Sequence, residues 1–304
     1  MPREVEPSIN ESQFLHHALS QGLRLDSRQP YELRTIELDF LRGSLGAVEC
    51  RLGQTRVLAQ VSAEIVRPLP DRPYEGFLNV STELSPMAST NYEAGRTSDE
   101  QTLLTRLLEK TLRRSECVDR EALCIVAGQR VWSIRVDVHF LDDQGNLLDC
   151  ASIAAITALR HFRKPDVQVV GEEVIVVSRD TQGFTRRRPK FKCDVLQYSM
   201  TERVPVLLAI HHTPICLTFA FFGDDSTPLL DPSLLESQLC SGTLTLTLNA
   251  QQEICVLSKA GGAPLPADDI MKVVMIGTQR VKEVDAFIKK ELERDEKRRR
   301  VEVR

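Results

Sequence analysis

The segment Arg135–Leu159, RVDVHFLDDQGNLLDCASIAAITAL, decides how this chain can fold. Apolar and polar residues alternate through residues 132–140, which predicts a strand with one buried face. Residues 143–146, DQGN, predict a turn. The run of small apolar residues at 151–159 predicts a buried helix, with Asp149 placed to cap its start. The segment is therefore interpreted as a strand, a turn and a helix.

The composition is that of a soluble globular protein. The chain has 304 residues, of which 42% are hydrophobic and 27% charged, and its formal net charge is −4. This length allows one large domain or two ordinary ones. No apolar run is long enough to cross a bilayer, and the polar N-terminus is unlike a secretory signal, so we expect a nuclear or cytoplasmic protein. The negative charge argues against a free-standing nucleic-acid binder but permits an RNA contact through a local basic face.

The eight cysteines include no C-x-x-C pair. Most lie within apolar strand or helix patterns, which favours reduced, buried thiols over a zinc site. The sequence also contains no nucleophile elbow, no phosphate-binding P-loop and no dinucleotide-binding glycine motif. Common catalytic and cofactor motifs are therefore missing.

The rest of the chain predicts two similar α+β halves, each with several strands followed by helices on one face of the sheet. An N-terminal helix is predicted at 11–21, and Phe14, Leu15 and Leu19 are expected to pack on the body or on a neighbouring subunit. A last helix is predicted from about 267 to 293. The predicted divisions are an N-terminal helix and extension at 1–30, a first domain at 31–165, a second domain at 166–293 with a basic insertion at 179–201, and a charged tail at 294–304, expected to be frayed from 295 onward.

Four short motifs follow one another in a fixed order. They are RLDSR at 24–28, DRPYEG at 71–76, TELSPM at 82–87 and SKAGG at 258–262. Together with the strand, turn and helix described above, they resemble the RNase PH family of phosphate-dependent exoribonucleases over about residues 14–287. The resemblance implies an RNase PH-like fold (ribosomal protein S5 domain 2-like), with two halves of antiparallel or mixed sheet and helices on one face.

The positions that active family members use for catalysis hold other residues here. In those members the turn reads D-G-G-T-R-T-A, and its arginine, which holds the attacking phosphate, is replaced by Leu147. Two aspartates that position a metal ion are replaced by Ser237 and Thr243. Leucine cannot donate a hydrogen bond, and neutral hydroxyls are poor ligands for a hard divalent cation. The resemblance thus implies a chain with no catalytic residue, no bound metal and no cofactor.

The pattern D-D-x-G-N-L-L-D at 142–149 is similar to that of non-catalytic ring subunits of the eukaryotic exosome, and looks closest to the polymyositis/scleroderma autoantigen type. Such subunits support rRNA maturation and the turnover of mRNA and non-coding RNA. The implied partners are complementary RNase PH-like subunits in a six-membered ring, S1/KH-type cap subunits, an associated 3′-to-5′ nuclease and single-stranded RNA, with no membrane. The implied location is the nucleus, the nucleolus and the cytoplasm.

Two other functions stay open. The first is an active phosphorolytic exoribonuclease whose site is built from other residues, such as Asp142, Asp143 and Asp231. The second is a free-standing RNA-processing adaptor that joins no ring. Release of nucleoside diphosphates from RNA would identify the enzyme, and size measurement with a complementary subunit would identify the adaptor.

A basic helix face is the candidate RNA-binding site. Arg106, Lys110 and Arg113 recur at helical spacing, with Arg114 beside them. They lie opposite a predicted apolar stripe of leucines at 103, 104, 107, 108 and 112. The alternative is a solvated face paired with the neighbouring glutamates. The basic run at 186–192 could contact RNA, a partner subunit or an import receptor, or could be a solvated loop.

Overall fold

The computed structural model describes residues 7–93, 95, 97–165, 167–170, 173–176, 206–223, 228–259, 261–262 and 264–302. The predicted basic insertion at 179–201 lies outside the described residues. No helix in the described part of the chain is long and apolar enough to span a membrane.

The first half contains a six-stranded mixed sheet with helices beside it. Its elements are α1 (Ile9–Ser20), β1 (Ile36–Phe40), β2 (Ala47–Leu52), β3 (Thr55–Val66), β4 (Phe77–Leu84), α2 (Asp99–Glu109), a π-helical turn (Lys110–Arg114), a 3₁₀ turn (Glu121–Leu123), β5 (Cys124–Val126), β6 (Arg130–Asp142) and α3 (Leu147–His161). The strand order is β1-β2-β3-β6-β4, with β5 also on β6. The pairing is antiparallel except between β4 and β6.

The second half contains a four-stranded antiparallel sheet of order β12-β11-β13-β14. Two small pairs, β7 with β10 and β8 with β9, precede it. Its elements are β7 (Arg163–Lys164), β8 (Val167–Val170), β9 (Glu173–Val176), β10 (Val206–Leu207), β11 (Ile215–Phe221), β12 (Leu229–Leu230), α4 (Leu234–Leu239), β13 (Gly242–Leu248), β14 (Ile254–Lys259) and α5 (Ala267–Glu302). The α+β prediction is confirmed.

Helix α3 is the centre of the core. All of its residues except Arg160 are buried. It contacts β2, β3 and β6 in the first sheet and β11 in the second, so the two sheets share one helix. A helix that is apolar on every side is stable only when it is covered on every side, and its alanines allow both sheets to approach. The single buried cluster that results runs through both halves.

The start of α3 differs from the prediction. The N-cap position is occupied by Asn146, in the left-handed conformation with φ 54° and without a side-chain capping hydrogen bond, and not by Asp149. Asp149 lies inside the first turn, with its side chain buried. Asn146 and Asp149 are close together in the sequence, so the sequence alone does not show which of them precedes the first helical residue. The conformation of the backbone decides it.

Helix α1 packs on the second sheet through fewer residues than predicted. Leu15 is 1% exposed among Ala220, Phe222 and Leu229, and Leu19 packs beside it. Phe14 is 63% exposed, so it does not pack on the body. Its predicted contact with a neighbouring subunit stays a prediction.

The predicted frayed end from residue 295 onward is wrong over the described residues. Helix α5 continues to Glu302. Asp295 lies 3.1 Å from His161 and 2.6 Å from Arg299, which donates to the carbonyl of Leu41 at 3.2 Å. Burial lowers the pKa of His161 to about 4, so its ring is neutral at pH 7 and its contact with Asp295 is not an ion pair. The charged end of α5 is therefore attached to the first half.

We expect Leu15→Ala to destabilise the folded chain by about 2–5 kcal/mol, because it removes a fully buried leucine side chain from the contact between α1 and the second sheet. The measurement is urea unfolding of the purified chain. Phe14→Ala, one residue away on the same helix, is the matched control and should change stability by less than about 0.5 kcal/mol. Equal effects of the two variants would contradict this packing of α1.

Candidate RNA interface and replaced catalytic positions

Asp231 is a buried carboxylate that joins three distant parts of the chain. One oxygen, Oδ2, accepts hydrogen bonds from the Arg34 backbone N–H and Nε, both at 2.9 Å, and from Arg28 Nη1 at 3.1 Å. The other, Oδ1, accepts from Arg34 Nη2 at 2.7 Å and from Asn146 Nδ2 at 2.6 Å. Burial alone would raise the pKa of Asp231, but the hydrogen bonds and charge of Arg34 outweigh it, so the pKa is lowered. Asp231 is thus ionised at neutral pH.

Arg34 also fixes the turn in which the family's phosphate-binding arginine is replaced. Its Nη1 donates to the carbonyl of Gln144 at 3.2 Å, and its Nη2 donates to that of Gly145 at 3.0 Å. Gly145 has φ 86°, and a side-chain carbon there would approach the backbone N of Leu234 to 2.5 Å. The turn is therefore held between the arm that precedes β1 and the start of α4. No residue with a side chain fits at position 145, where the turn approaches the start of α4 most closely.

A second buried ion pair supports the same arm. Arg24 Nη2 lies 2.6 Å from Glu236 Oε2, and both side chains are 1% exposed. Arg24 also donates to the carbonyls of Leu230 and Asp231, each at 2.9 Å. Glu236 in addition forms a capping box with Ser233 at the start of α4. Arg24 and Glu236 therefore act as internal supports of this arm and of the start of α4.

The three residues predicted from the sequence to stand at catalytic positions make structural contacts in this chain. Leu147 is 5% exposed and belongs to the core. The Ser237 hydroxyl donates to the carbonyl of Leu234 at 2.8 Å, and Thr243 pairs with Ala220 in the second sheet. Of the carboxylates considered for a shifted site, Asp143 accepts from the Tyr92 hydroxyl at 2.7 Å. Among the described residues, no group of three His, Cys, Asp or Glu side chains could hold a metal ion.

Asp149 is a buried carboxylate that the sequence patterns did not identify as a link between the halves. It accepts hydrogen bonds from the Thr218 N–H and hydroxyl and from Asn146 Nδ2, each at 2.8 Å. Burial raises its pKa to about 7. Asn146 therefore donates to two carboxylates at once, an ionised Asp231 and an Asp149 whose pKa is raised by burial.

The predicted basic helix face is divided by a change in helix geometry. Helix α2 buries Leu104 and Leu108, whereas Leu103, assigned to the apolar stripe, is 56% exposed. From Lys110 to Arg114 the helix widens into a π-helical turn. A π-turn has more residues per turn than an α-helix, so the residues after it point in different directions from those that a regular helix predicts. Arg106 lies before this change, and Arg113 lies within it.

Arg113 and Arg114 lie in a basic cleft with Arg72 and Arg120. The cleft consists of two adjoining cavities, of about 190 Å³ and 420 Å³, and Arg113 lines both. The two arginines that the sequence did not indicate come from the DRPYEG loop and from the residue before the 3₁₀ turn. Only the tertiary structure brings them beside the end of α2. Neither Arg106 nor Lys110 lines these cavities.

The arginines of the basic cleft differ in how far they are neutralised. Glu75 Oε2 lies 3.2 Å from Arg72 and 3.0 Å from Arg120. Within the described part of the chain, no carboxylate forms an ion pair with Arg113 or Arg114, which are both exposed. These two side chains are therefore available to an external anion.

Both halves of the chain match models of the 3′ exoribonuclease family, RNase PH. Residues 32–165 match domain 1 of the family, and residues 212–280 match domain 2. The two matches lie on either side of the segment that follows β9, and together they include the turn before α3 and the Asp231 region. The sequence resemblance is thus confirmed on both halves.

Similar proteins are named as exosome components. The chain is 40% identical to exosome complex component rrp45 of Schizosaccharomyces pombe over 97% of its own length and 94% of that protein. It is 43% identical to the RRP45 component of Bos taurus over 98% of its length, and spans 63% of that longer protein.

Solved structures agree with the fold. A chain of the Archaeoglobus fulgidus exosome with RNA bound to the active site has a TM-score of 0.74 and 26% identity, and the match covers 91% of this chain and 97% of that one. A chain of an archaeal exosome core has a TM-score of 0.71 and 26% identity, covering 92% and 96%.

Asp231→Asn should destabilise the chain by about 3–5 kcal/mol, because it leaves Arg34 without its charged partner in a largely buried site and removes the buried one of Arg28's two partners. Urea unfolding at pH 7 measures the loss. Asp26→Asn is the matched control, since Asp26 also pairs with Arg28 but is 44% exposed. The control should cost less than about 1 kcal/mol. A wild-type unfolding midpoint for Asp231→Asn would refute the role assigned to this carboxylate.

Proposed function

The chain belongs to the RNase PH family of 3′ exoribonucleases, and from this membership we propose that it is a non-catalytic, RNA-contacting subunit of an exosome core ring. The similar fission yeast protein, which the chain matches over nearly its whole length, is itself named an exosome component. The role would be to guide RNA through the ring to an associated nuclease, in support of rRNA maturation and of mRNA and non-coding RNA turnover.

The proposal that the chain is non-catalytic is supported mainly by one observation. The arginines near the family's phosphate-binding turn, Arg28 and Arg34, already face an internal anion, the Asp231 carboxylate. Leu147 at the lost arginine position lies in the core, so the position offers no donor to phosphate. An active enzyme would need an unpaired arginine and two free carboxylates at this place. This arrangement favours a degenerate site over the alternative of a shifted active site.

The proposed partners follow from the same membership. They are complementary RNase PH-like subunits in a six-membered ring, S1/KH-type cap subunits, an associated 3′-to-5′ nuclease and single-stranded RNA. The proposed location is the nucleus, the nucleolus and the cytoplasm.

A free-standing adaptor would instead remain monomeric when mixed with a complementary subunit, which a size measurement by light scattering distinguishes.

The basic cleft is the proposed RNA contact. Guanidinium groups bind phosphate oxygens through charge-assisted, often bidentate hydrogen bonds. The larger cavity is lined by four arginines and two glutamates, which leaves a local charge of +2 on a chain whose net charge is −4. We assign the closest phosphate contacts to Arg113 and Arg114, and more distant electrostatic support to Arg106 and Lys110. Because Glu109 and Glu116 line the same cavity, the competing interpretation is a self-paired solvated surface.

The isolated chain should release no nucleoside diphosphates from single-stranded RNA in the presence of phosphate and Mg²⁺. Leu147→Arg alone should not restore the reaction, because the two carboxylates are still missing and Asp231 still pairs with the nearby arginines. Thin-layer chromatography of labelled RNA products measures release, with an active RNase PH enzyme as the positive control. Processive shortening by the pure wild-type chain would overturn the non-catalytic assignment.

Arg113→Ala together with Arg114→Ala should weaken RNA binding by the assembled ring without preventing assembly. The log–log dependence of affinity on salt should become shallower by about 0.7 for each lost single-strand phosphate contact. Fluorescence anisotropy with an unstructured RNA across a salt series measures both quantities. The double variant Arg42→Ala and Arg135→Ala removes the same charge from exposed positions outside the cleft, and should leave the slope unchanged. Equal slopes for the two double variants would contradict the proposed contact.

A further inference from the structure

The smaller cavity of the basic cleft has the composition of a base-binding pocket. Part of its lining is apolar and consists of Leu69, Phe77 and Leu78. The rest includes Glu75 and the arginines Arg72, Arg113 and Arg120. A phosphate site needs donors alone, whereas this cavity combines an apolar wall, cationic planes and a carboxylate. Unstacked RNA bases are recognised through such a combination, by stacking on apolar or guanidinium surfaces and by hydrogen bonds at their edges.

We propose that this cavity binds the base of one unstacked nucleotide of single-stranded RNA, with guanine preferred; the inference rests on the proposed function, because Arg113 and Arg114 hold the adjoining phosphate. The cavity volume is about 190 Å³. A cavity of about 150 Å³ accommodates a benzene-sized ring. The ring of one base can therefore enter this cavity, with the rest of the nucleotide in the larger adjoining cavity.

The preference for guanine follows from Glu75. Both of its ion pairs, with Arg72 and with Arg120, use the oxygen Oε2. The other oxygen, Oε1, can accept hydrogen bonds, and an ionised carboxylate accepts without donating. The guanine edge presents two adjacent N–H donors, N1–H and the N2 amino group, which the two lone pairs of Oε1 can accept. Uracil presents one such donor, and adenine and cytosine each present an amino group beside an acceptor.

The walls of the cavity are fixed before any ligand arrives. The Arg72 N–H donates to the carbonyl of Leu69 at 3.1 Å and closes a tight turn. The Gly76 N–H donates to the carbonyl of Arg120 at 2.9 Å. A side-chain carbon at Gly76 would lie 2.4 Å from Leu123 and 2.6 Å from the Trp132 carbonyl, so the loop is packed directly on β6. A preformed cavity binds without a large ordering cost.

The test uses the full chain in the reconstituted ring and uridine octamers that carry one guanosine or one adenosine at each internal position in turn. Fluorescence anisotropy should show at least one guanosine position bound about tenfold more tightly than its adenosine counterpart, as expected for one hydrogen bond to a charged group.

Three variants test where this preference arises. Glu75→Gln should reduce the ratio of guanosine to adenosine affinity. Leu69→Trp, which fills the cavity from a side chain that is 54% exposed, should abolish it while the salt slope stays unchanged. Leu23→Trp, at a leucine that is 61% exposed elsewhere, is the matched control and should keep the ratio.

The outcomes separate the two proposals. Equal binding of guanosine and adenosine octamers at every position, with a salt slope that still depends on Arg113 and Arg114, overturns the base pocket and leaves the proposed RNA contact intact. A guanosine preference that Leu69→Trp leaves unchanged also overturns the pocket, because the preference then arises elsewhere. Absence of RNA binding by the ring overturns the proposed function and the pocket together.

Discussion

The buried Asp231 carboxylate is the interaction on which the arrangement of this chain depends. It accepts hydrogen bonds from Arg28 and Arg34 on the arm before β1 and from Asn146 at the start of α3, while its own backbone follows β12. A buried carboxylate is costly unless opposite charges and donors surround it, and removal of any one partner leaves the others uncompensated. The arm, the turn before α3 and the second sheet are therefore mutually dependent, although they are distant in sequence.

The same carboxylate neutralises the two arginines, Arg28 and Arg34, that lie near the turn before α3. Unpaired arginines at this place would attract an external anion such as phosphate. In this chain the anion beside them is the Asp231 side chain. Leu147 then extends the core into the position of the lost donor. At the end of α2, in the basic cleft, Arg113 and Arg114 face solvent and form no ion pair with a described carboxylate.

Helix α3 and helix α5 supply the rest of the cohesion, by different means. Helix α3 is covered by both sheets and joins them through apolar contact and through the hydrogen bonds of Asp149 to Thr218. Helix α5 packs on the second sheet, where Gly277 lets it approach Leu246 and Leu248. Its charged end then returns to the first half through Asp295 and Arg299. Two halves that look alike in sequence are consequently held as one body.

The sequence by itself determined the fold class, the strand, turn and helix around residues 132–159, and the family, because alternating and helical apolar patterns are local and the motifs occur in a fixed order. The loss of catalytic groups at Leu147, Ser237 and Thr243 stays a prediction. Only the tertiary structure decided which charges meet: Asp231 with Arg28 and Arg34, and Arg113 with Arg72 and Arg120. The π-turn at residues 110–114 cannot be read from residue spacing. The predicted apolar stripe was wrong at Leu103, which is 56% exposed. Contacts between residues far apart along the chain depend on how the sheets and helices pack, and local patterns do not contain that information.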